Sequence, residues 1–409
     1  MLQHPWANWI PGVLNKQQIK ELCDGRYIIT EGPVRESALD NSSLDLSLSD
    51  EGYWMKAGYS VKPSGREPYN SFIQREGSAV RLLQNADKTY ILERWKTYVF
   101  KLQERLGRDL LKAGFHGQAT AKSSVGRIDV LARLIVDGMD QYEGFNTERL
   151  MEGNYAGYMY LEITPMTFNV KVKEGIALSQ LRLFYGDPEI AKINSTESFK
   201  TILGEQAMDG SLGVDLDQVD IGGVPVVAFC ARTEEGKEPI PLWKEDSEAK
   251  RPAPWDYWKF VTPDRPNRLR IEKELFYLLR SEEKISVPKG VAVYCRASDE
   301  TIGEMRIHYA GFAHPFFGKD RPDNEPGTPL IFEVRGHQID VSLANGERMA
   351  NLIFYRLSED CEKSKPDSTK GKEPEDQYNT QSLQLSKFFR KWPPKLRRIK
   401  DDGIVEPCE

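Results

Sequence analysis

No window of this sequence approaches the roughly 20 consecutive apolar residues that a membrane-spanning helix needs. The opening stretch, MLQHPWANWIPG, lacks both a basic start and a long apolar run, so it is not read as a signal peptide. Basic charge is not in excess: 56 Lys and Arg stand against 62 Asp and Glu, a net charge of -6. That balance argues against a general nucleic-acid or membrane surface, although a local basic pocket remains compatible with it. The five cysteines, Cys23, Cys230, Cys295, Cys361 and Cys408, are scattered and form no C-x-x-C pair. They are read as inert reduced thiols of a cytoplasmic protein. The sequence also has no G-x-x-x-x-G-K-[ST], no G-x-G-x-x-G and no G-x-S-x-G, which removes the P-loop, the dinucleotide fingerprint and the nucleophile elbow. His308, His314 and His337 lie near one another but match no common zinc spacing, and are read as structural or incidental.

What is present is a chain long enough for two or three domains, 39% hydrophobic and able to bury a real core. Asn15 to Gly25 reads as a short amphipathic helix with Ile19, Leu22 and Cys23 on one face. A second helical signal runs from Asp87 to Ala113, where apolar residues recur at helical spacing. Most of the remainder reads as strands: TFNVKVKEG, VPVVAFCAR, KISVPKGVAVYCR, EMRIHYAGF and PLIFEVR are short, β-branched or aromatic, and bounded by Gly, Pro or charge. The strongest organisational signal is an internal repeat. EITPMTFNVKVKEGIALSQLRLFY from Glu162 aligns without a gap on EVRGHQIDVSLANGERMANLIFYR from Glu333, an offset of 171 residues. Val170 falls on Val341, Gly175 on Gly346, Leu181 on Leu352 and Phe184 on Tyr355. The expected division is a first repeat over 1–200, a second over 201–360, and a link and tail over 361–409. The link, SEDCEKSKPDSTKGKEPEDQ, is charged and turn-forming. After it, YNTQSLQLSKFF regains apolar residues ahead of the basic RKWPPKLRRIK.

AKSSVGRIDV sets Lys122, Ser123, Ser124, Gly126 and Arg127 within six residues. Arg offers a planar fork of donors, Lys a point charge, Ser compact hydroxyls, and Gly a close backbone approach, which together suit phosphate. A solvated polar turn is the competing reading. Glu162 and Glu333 each end an apolar strand-like run. A carboxyl among buried strand residues can have a raised pKa and move protons; the alternative is a strand-edge ion pair with Arg127 or Arg133. The aromatic stretch RPAPWDYWKFVTPDRP is read as packing between domains rather than a base-stacking platform.

These segments resemble the dCTP deaminase family in its long two-repeat bacterial form. LDNSSLDLSLSDEGYWM resembles the family's opening P-A-S-[IL]-D-L-R-L-G, matched at Ser43, Leu44, Asp45 and Leu46. KSSVGRIDVLARLIVD is similar to the phosphate segment [KR]-S-S-x-x-R, and YAGYMYLEITPMTF to the strand that carries the catalytic glutamate. FYLLRSEEKISVPKG, GEMRIHYAGFAHPFFG and LIFEVRGHQIDV resemble the second repeat, and DQYNTQSLQLSKFF the closing tail. The resemblance runs from about Gly12 to Arg390.

It implies a mainly β chain of two tandem dUTPase-like β-barrel or jelly-roll domains with a few helices. It further implies hydrolysis of dCTP at C4 to dUTP and ammonia, without zinc, with Mg²⁺ accompanying the triphosphate, in a homo-oligomer. The zinc deaminase signature, H-x-E with P-C-x-x-C, is indeed absent from the sequence. Lys122, Ser123, Ser124 and Arg127 would hold phosphates, with Ser123 and Arg127 also ordering the catalytic centre. Either Glu333 or Glu162 would be the proton carrier. Ala310 would pass the base and water, and Tyr378 and Gln381 would come from the tail. The chain departs from the pattern in three places, the first being that the second repeat reads CRASDETIGE where S-S-x-x-R would stand, which implies one phosphate site per chain. His314-Pro315 replaces the Asp-Pro whose Asp contacts the sugar, and Asp40-Asn41 stands where Gln-Pro is usual. A dUTP-hydrolysing enzyme and a catalytically inactive nucleotide-binding relative are therefore the alternatives.

Overall fold

The computed structural model describes residue 6 and residues 8–56, 63–75, 77–152, 156–263, 265–297, 305–308 (backbone only), 311–319, 327–362, 381–399 and 402–408. The chain is mainly β, with few and short helices. Two barrel-like sheets carry the architecture, as the expected fold class requires. The first uses β1 (Ser43–Met55), β2 (Tyr98–Leu106), β3 (Phe115–Ala121), β4 (Val130–Val136), β5 (Gly144–Asn146), β6 (Tyr158–Pro165) and β7 (Ala177–Tyr185). The second uses β8 (Ser211–Asp215), β9 (Phe276–Ile285), β10 (Val291–Ala297), β11 (Met305–His308), β12 (Gly311–Ala313), β13 (Thr328–Gly336) and β14 (Arg348–Arg356).

Antiparallel hydrogen bonding runs β5-β3-β7-β1-β2-β6-β4 in the first sheet. In the second it runs β12-β10-β14-β8-β9-β13-β11. Each strand of the second sheet thus holds the place of the strand seven earlier. The offset read in the sequence holds at element level: Val170–Lys173 and β7 recur 171 residues on as Val341–Ala344 and β14. The hairpin turns match too, with Gly175 at φ 77° and Gly346 at φ 73°, the left-handed region that glycine enters without strain. A bulge interrupts both copies. Leu178 interrupts the β7–β1 register beside Ser47, and Met349 interrupts β14–β8 beside Gly213. Each bulge leaves a backbone N–H that a buried-side carboxylate accepts: Ser47 donates to Glu104 and Gly213 to Glu283, each at 2.8 Å.

One sequence expectation is corrected. Asp87 to Ala113 is not a helix; it forms the strand Thr89–Leu92, then β2, then a single helical turn over Arg108–Leu111. Lys88 and Trp95 adopt positive φ, which breaks any continuous helix. Within β2, Phe100, Leu102, Glu104 and Leu106 are buried while Lys101, Gln103 and Arg105 are only partly so, the period-two pattern of a strand with β1 and β6 as neighbours. The helix expected near the start is present as α1 (Lys16–Asp24). Its Asn15–Gln18 capping box and following Gly25 set its ends, and Ile19, Leu22 and Cys23 face inward.

The main apolar cluster is shared between the halves and the tail: Leu46, Phe100 and Leu161 join Phe229, Trp258 and Phe276, and Leu383, Phe388 and Phe389 complete it. The aromatic stretch does pack one half on the other, with the Trp258 ring 5.8 Å from Phe168 and 6.1 Å from Phe389. Residues 363–377 of the charged link, and 378–380 after it, lie outside the described residues. Among the described residues no helix is long and apolar enough to cross a membrane.

Candidate active site

β3 leads into Lys122 and then α2, the single turn Ser123–Gly126. Three anchors shape this loop. The Lys122 amide donates to the carbonyl of the bulged Leu178 at 2.9 Å, so the bulge of the fold fixes where the loop begins. Val125 and Ile128 are fully buried. Asp129, at φ 59°, turns a fully buried carboxylate across the boundary between halves. That carboxylate accepts Arg335 of β13 at 2.5 and 3.0 Å and the Thr167 hydroxyl at 2.5 Å.

Glu333 lies two residues before Arg335, on the same face of β13, and so is aimed at the same loop. Its carboxylate packs directly on Gly126: a Cβ there would lie 2.1 Å from Glu333 Oε2. No residue but glycine leaves room for that approach. Burial pushes the Glu333 pKa well above the usual carboxylate range; Arg127 opposes the shift and Asp129 adds to it. The result is a buried carboxyl with a raised pKa beside a guanidinium.

Around this pair lies a cleft enclosing about 1250 Å³, open solvent at its mouth included. The first half contributes Asp40, Lys122, Ser123, Ser124, Arg127 and Gln180. The second contributes mostly apolar groups, among them Cys295, Phe312, Ala313 and Phe332, with Glu333 and His314 as its ionisable members beside Cys295. Burial pushes the Cys295 thiol up to about 12. Lys122 is ion-paired with Asp45 of the opening motif. His314 shares a hydrogen bond of 2.9 Å with Ser42 through Nδ1 and lies 3.5 Å from Asp40 through Nε2. Burial raises the Asp40 carboxyl, but His314, the Asn41 amide and Lys122 outweigh it and hold the pKa below its ordinary value.

The tail closes the loop from outside. Arg127 donates to the Gln381 side chain at 2.6 Å and to the Gln384 carbonyl at 3.1 Å, and Ser386 donates to the Ser124 carbonyl at 2.7 Å. Gln381 also donates to the Pro329 carbonyl at the start of β13 at 2.8 Å. Leu383, Leu385, Phe388 and Phe389 are buried in the core, so this part of the tail is a packed wall.

Of the residues singled out in the sequence, the structure brings together Lys122, Ser123, Ser124, Arg127, His314, Glu333 and Gln381. Glu162 sits elsewhere, on β6. It is 1% exposed, ion-paired with Arg133 of the neighbouring strand at 2.5 Å, and accepts the Tyr142 hydroxyl at 3.2 Å. Ala310 and Tyr378 lie outside the described residues.

Residues 10–187 match the 2'-deoxycytidine 5'-triphosphate deaminase N-terminal domain, and residues 187–389 match the C-terminal domain of the same family. The chain belongs to the dCTP deaminase family. A solved dCTP deaminase from Agrobacterium tumefaciens is similar at 26% identity and TM-score 0.74, over 86% of this chain and 97% of that one. No curated protein sequence matches.

Within this family member, sequence reasoning missed Asp129, Arg335, Gln180 and the packing role of Gly126. Period two along EVR places Glu333 and Arg335 on one face, a signal that was available. The contact of Gly126 with Glu333 spans 207 positions, and no local pattern encodes it.

Proposed function

We propose that the chain deaminates dCTP hydrolytically at the Glu333 cleft. The reading is carried by one observation: a buried carboxyl of raised pKa meets a loop rich in phosphate donors, in a chain of this family. Lys122, Ser123, Ser124 and Arg127 would take the triphosphate, and Arg127 and Ser123 would also order the reacting end. Glu333 gives its proton to ring N3, which makes C4 electrophilic. As a carboxylate it takes a proton from water as the oxygen bonds to C4, then passes that proton to the amino group. The C4–N bond breaks as the carbonyl forms, ammonia leaves, and the proton lost from the C4 hydroxyl returns to Glu333. Mg²⁺ enters as the counter-ion of the nucleotide. Asp45, an acidic side chain near the phosphate loop, is paired with Lys122, so the phosphates themselves would supply oxygen ligands. The reading needs no zinc.

The test is to incubate the protein with dCTP, dUTP or CTP and Mg²⁺ and analyse products. Expected are dUTP and ammonia from dCTP, and no pyrophosphate; pyrophosphate from dUTP would move the function to the dUTP-hydrolysing alternative. Glu333→Gln should lower kcat about 10²- to 10⁴-fold with little change in nucleotide binding. If Glu162→Gln had that effect instead, Glu333 would not be the proton carrier. The Asp40–His314 contact favours a second reading, a nucleotide-binding relative, which calorimetric binding without turnover would support.

A further inference from the structure

Arg182 stands outside the site described above, yet it is a fully buried cation. It lies on β7, two residues after the cleft residue Gln180 and two before Phe184, whose ring meets Tyr355 at 5.0 Å. The side chain is 0% exposed. Nη1 donates to the Val293 carbonyl of β10 at 3.0 Å, and the guanidinium lies 3.8 Å from the centroid of Phe312, a wall of the cleft. Nε and Nη2 have no hydrogen-bond partner among the described residues. Burial lowers its pKa to about 9, which still leaves a cation at neutral pH, and Asp40 on the cleft is the carboxylate whose field reaches it. A buried cation with unmet donors works against folding, and an apolar side chain of similar volume is often neutral or stabilising in its place.

We propose that Arg182 is a positioning residue for the nucleotide, clamping Phe312 from behind as a cleft wall and lending the cleft positive charge that favours a polyanionic ligand. This rests on the cleft being a nucleotide site. A guanidinium stacked on one face of a ring fixes that ring more firmly than packing alone, and in a water-poor interior its charge acts at short range with little screening. The cation would thus trade stability for affinity.

The experiment compares full-length wild type, Arg182→Met and Arg182→Lys by melting temperature, by calorimetric Kd for dCTP and dUTP, and by kcat and KM. Arg182→Met should melt at the wild-type temperature or above while both Kd values rise about tenfold or more and kcat changes little. Arg182→Lys, which keeps the charge, should recover part of the affinity. An Arg182→Met protein that no longer folds, or that binds nucleotide as wild type does, overturns the inference. So does a lysine variant that binds no better than the methionine one. Should wild type bind dCTP without turnover, the deamination reading falls while the ratio of Kd values still decides the role of Arg182.

Discussion

Gly126 and Glu333 meet from opposite halves of the chain, so a single methyl group is a ruler for the site. Gly126→Ala places a Cβ within 2.1 Å of Glu333 Oε2, and the carboxyl must move by more than an ångström. A displacement of about 1 Å can cost about 10²-fold in rate. Alanine also favours the helical turn over glycine, so the fold should not suffer from it. Steady-state kinetics should therefore record a kcat loss of that order with the melting temperature within a few degrees of wild type. The donor cluster at Lys122 to Arg127 was legible because it is local: its members fall within six residues. Which of two glutamates faces that cluster was not. Glu162 and Glu333 end similar strands, and only the third dimension separates one beside Arg133 from one beside Gly126.

At the scale of strands, the two bulges show the repeat more sharply than the aligned residues do. Ser47 and Gly213 are unlike as side chains, and Glu104 and Glu283 are not at the 171-residue offset, so sequence comparison passes over them. The backbone need is what recurs: an N–H exposed by a bulge finds a carboxylate. Burial pushes Glu104 up to about 7, from an ordinary 4.5, with the Ser47 amide opposing. The folded state thus prefers the protonated form. That preference contributes fully below pH 4.5 and is lost as pH rises through about 7. Denaturant titrations of wild type should show a decline on the order of 3 kcal/mol or less from this group across that window. Glu104→Gln keeps an acceptor for the Ser47 amide and should flatten that decline, most visibly at pH 8. The misread helix at Asp87 to Ala113 belongs to the same scale. Its composition suits a helix, but β1 and β6 offer backbone partners on both sides, and tertiary pairing overrides propensity.

For the whole molecule, the tail is a structural part of the core. Phe389 fills the core between Tyr257 and Trp258, with centroids 5.5 and 6.1 Å away. Phe389→Ala should lower stability by about 3–5 kcal/mol, the usual range for a buried aromatic, as read by chemical denaturation. Because the segment from Gln381 to Ser386 is tied to Arg127 and Ser124, nucleotide affinity should fall together with stability rather than separately. The apolar cluster of the tail was visible in the sequence. Its commitment to the core was not, since a run of charge before it reads equally well as the start of a disordered end.

Strand for strand the halves are alike, but the labour at the cleft is divided: one supplies the loop, the other the acid. With both halves in one chain, each needs to supply only its own part of the cleft. In the first half Glu162 pairs with Arg133 and accepts the Tyr142 hydroxyl instead of facing the cleft. In the second, CRASDETIGE stands where its sibling keeps serines and an arginine. Natural selection can then polish the two surfaces independently, which a symmetric ring of identical subunits, altering every copy at once, cannot do.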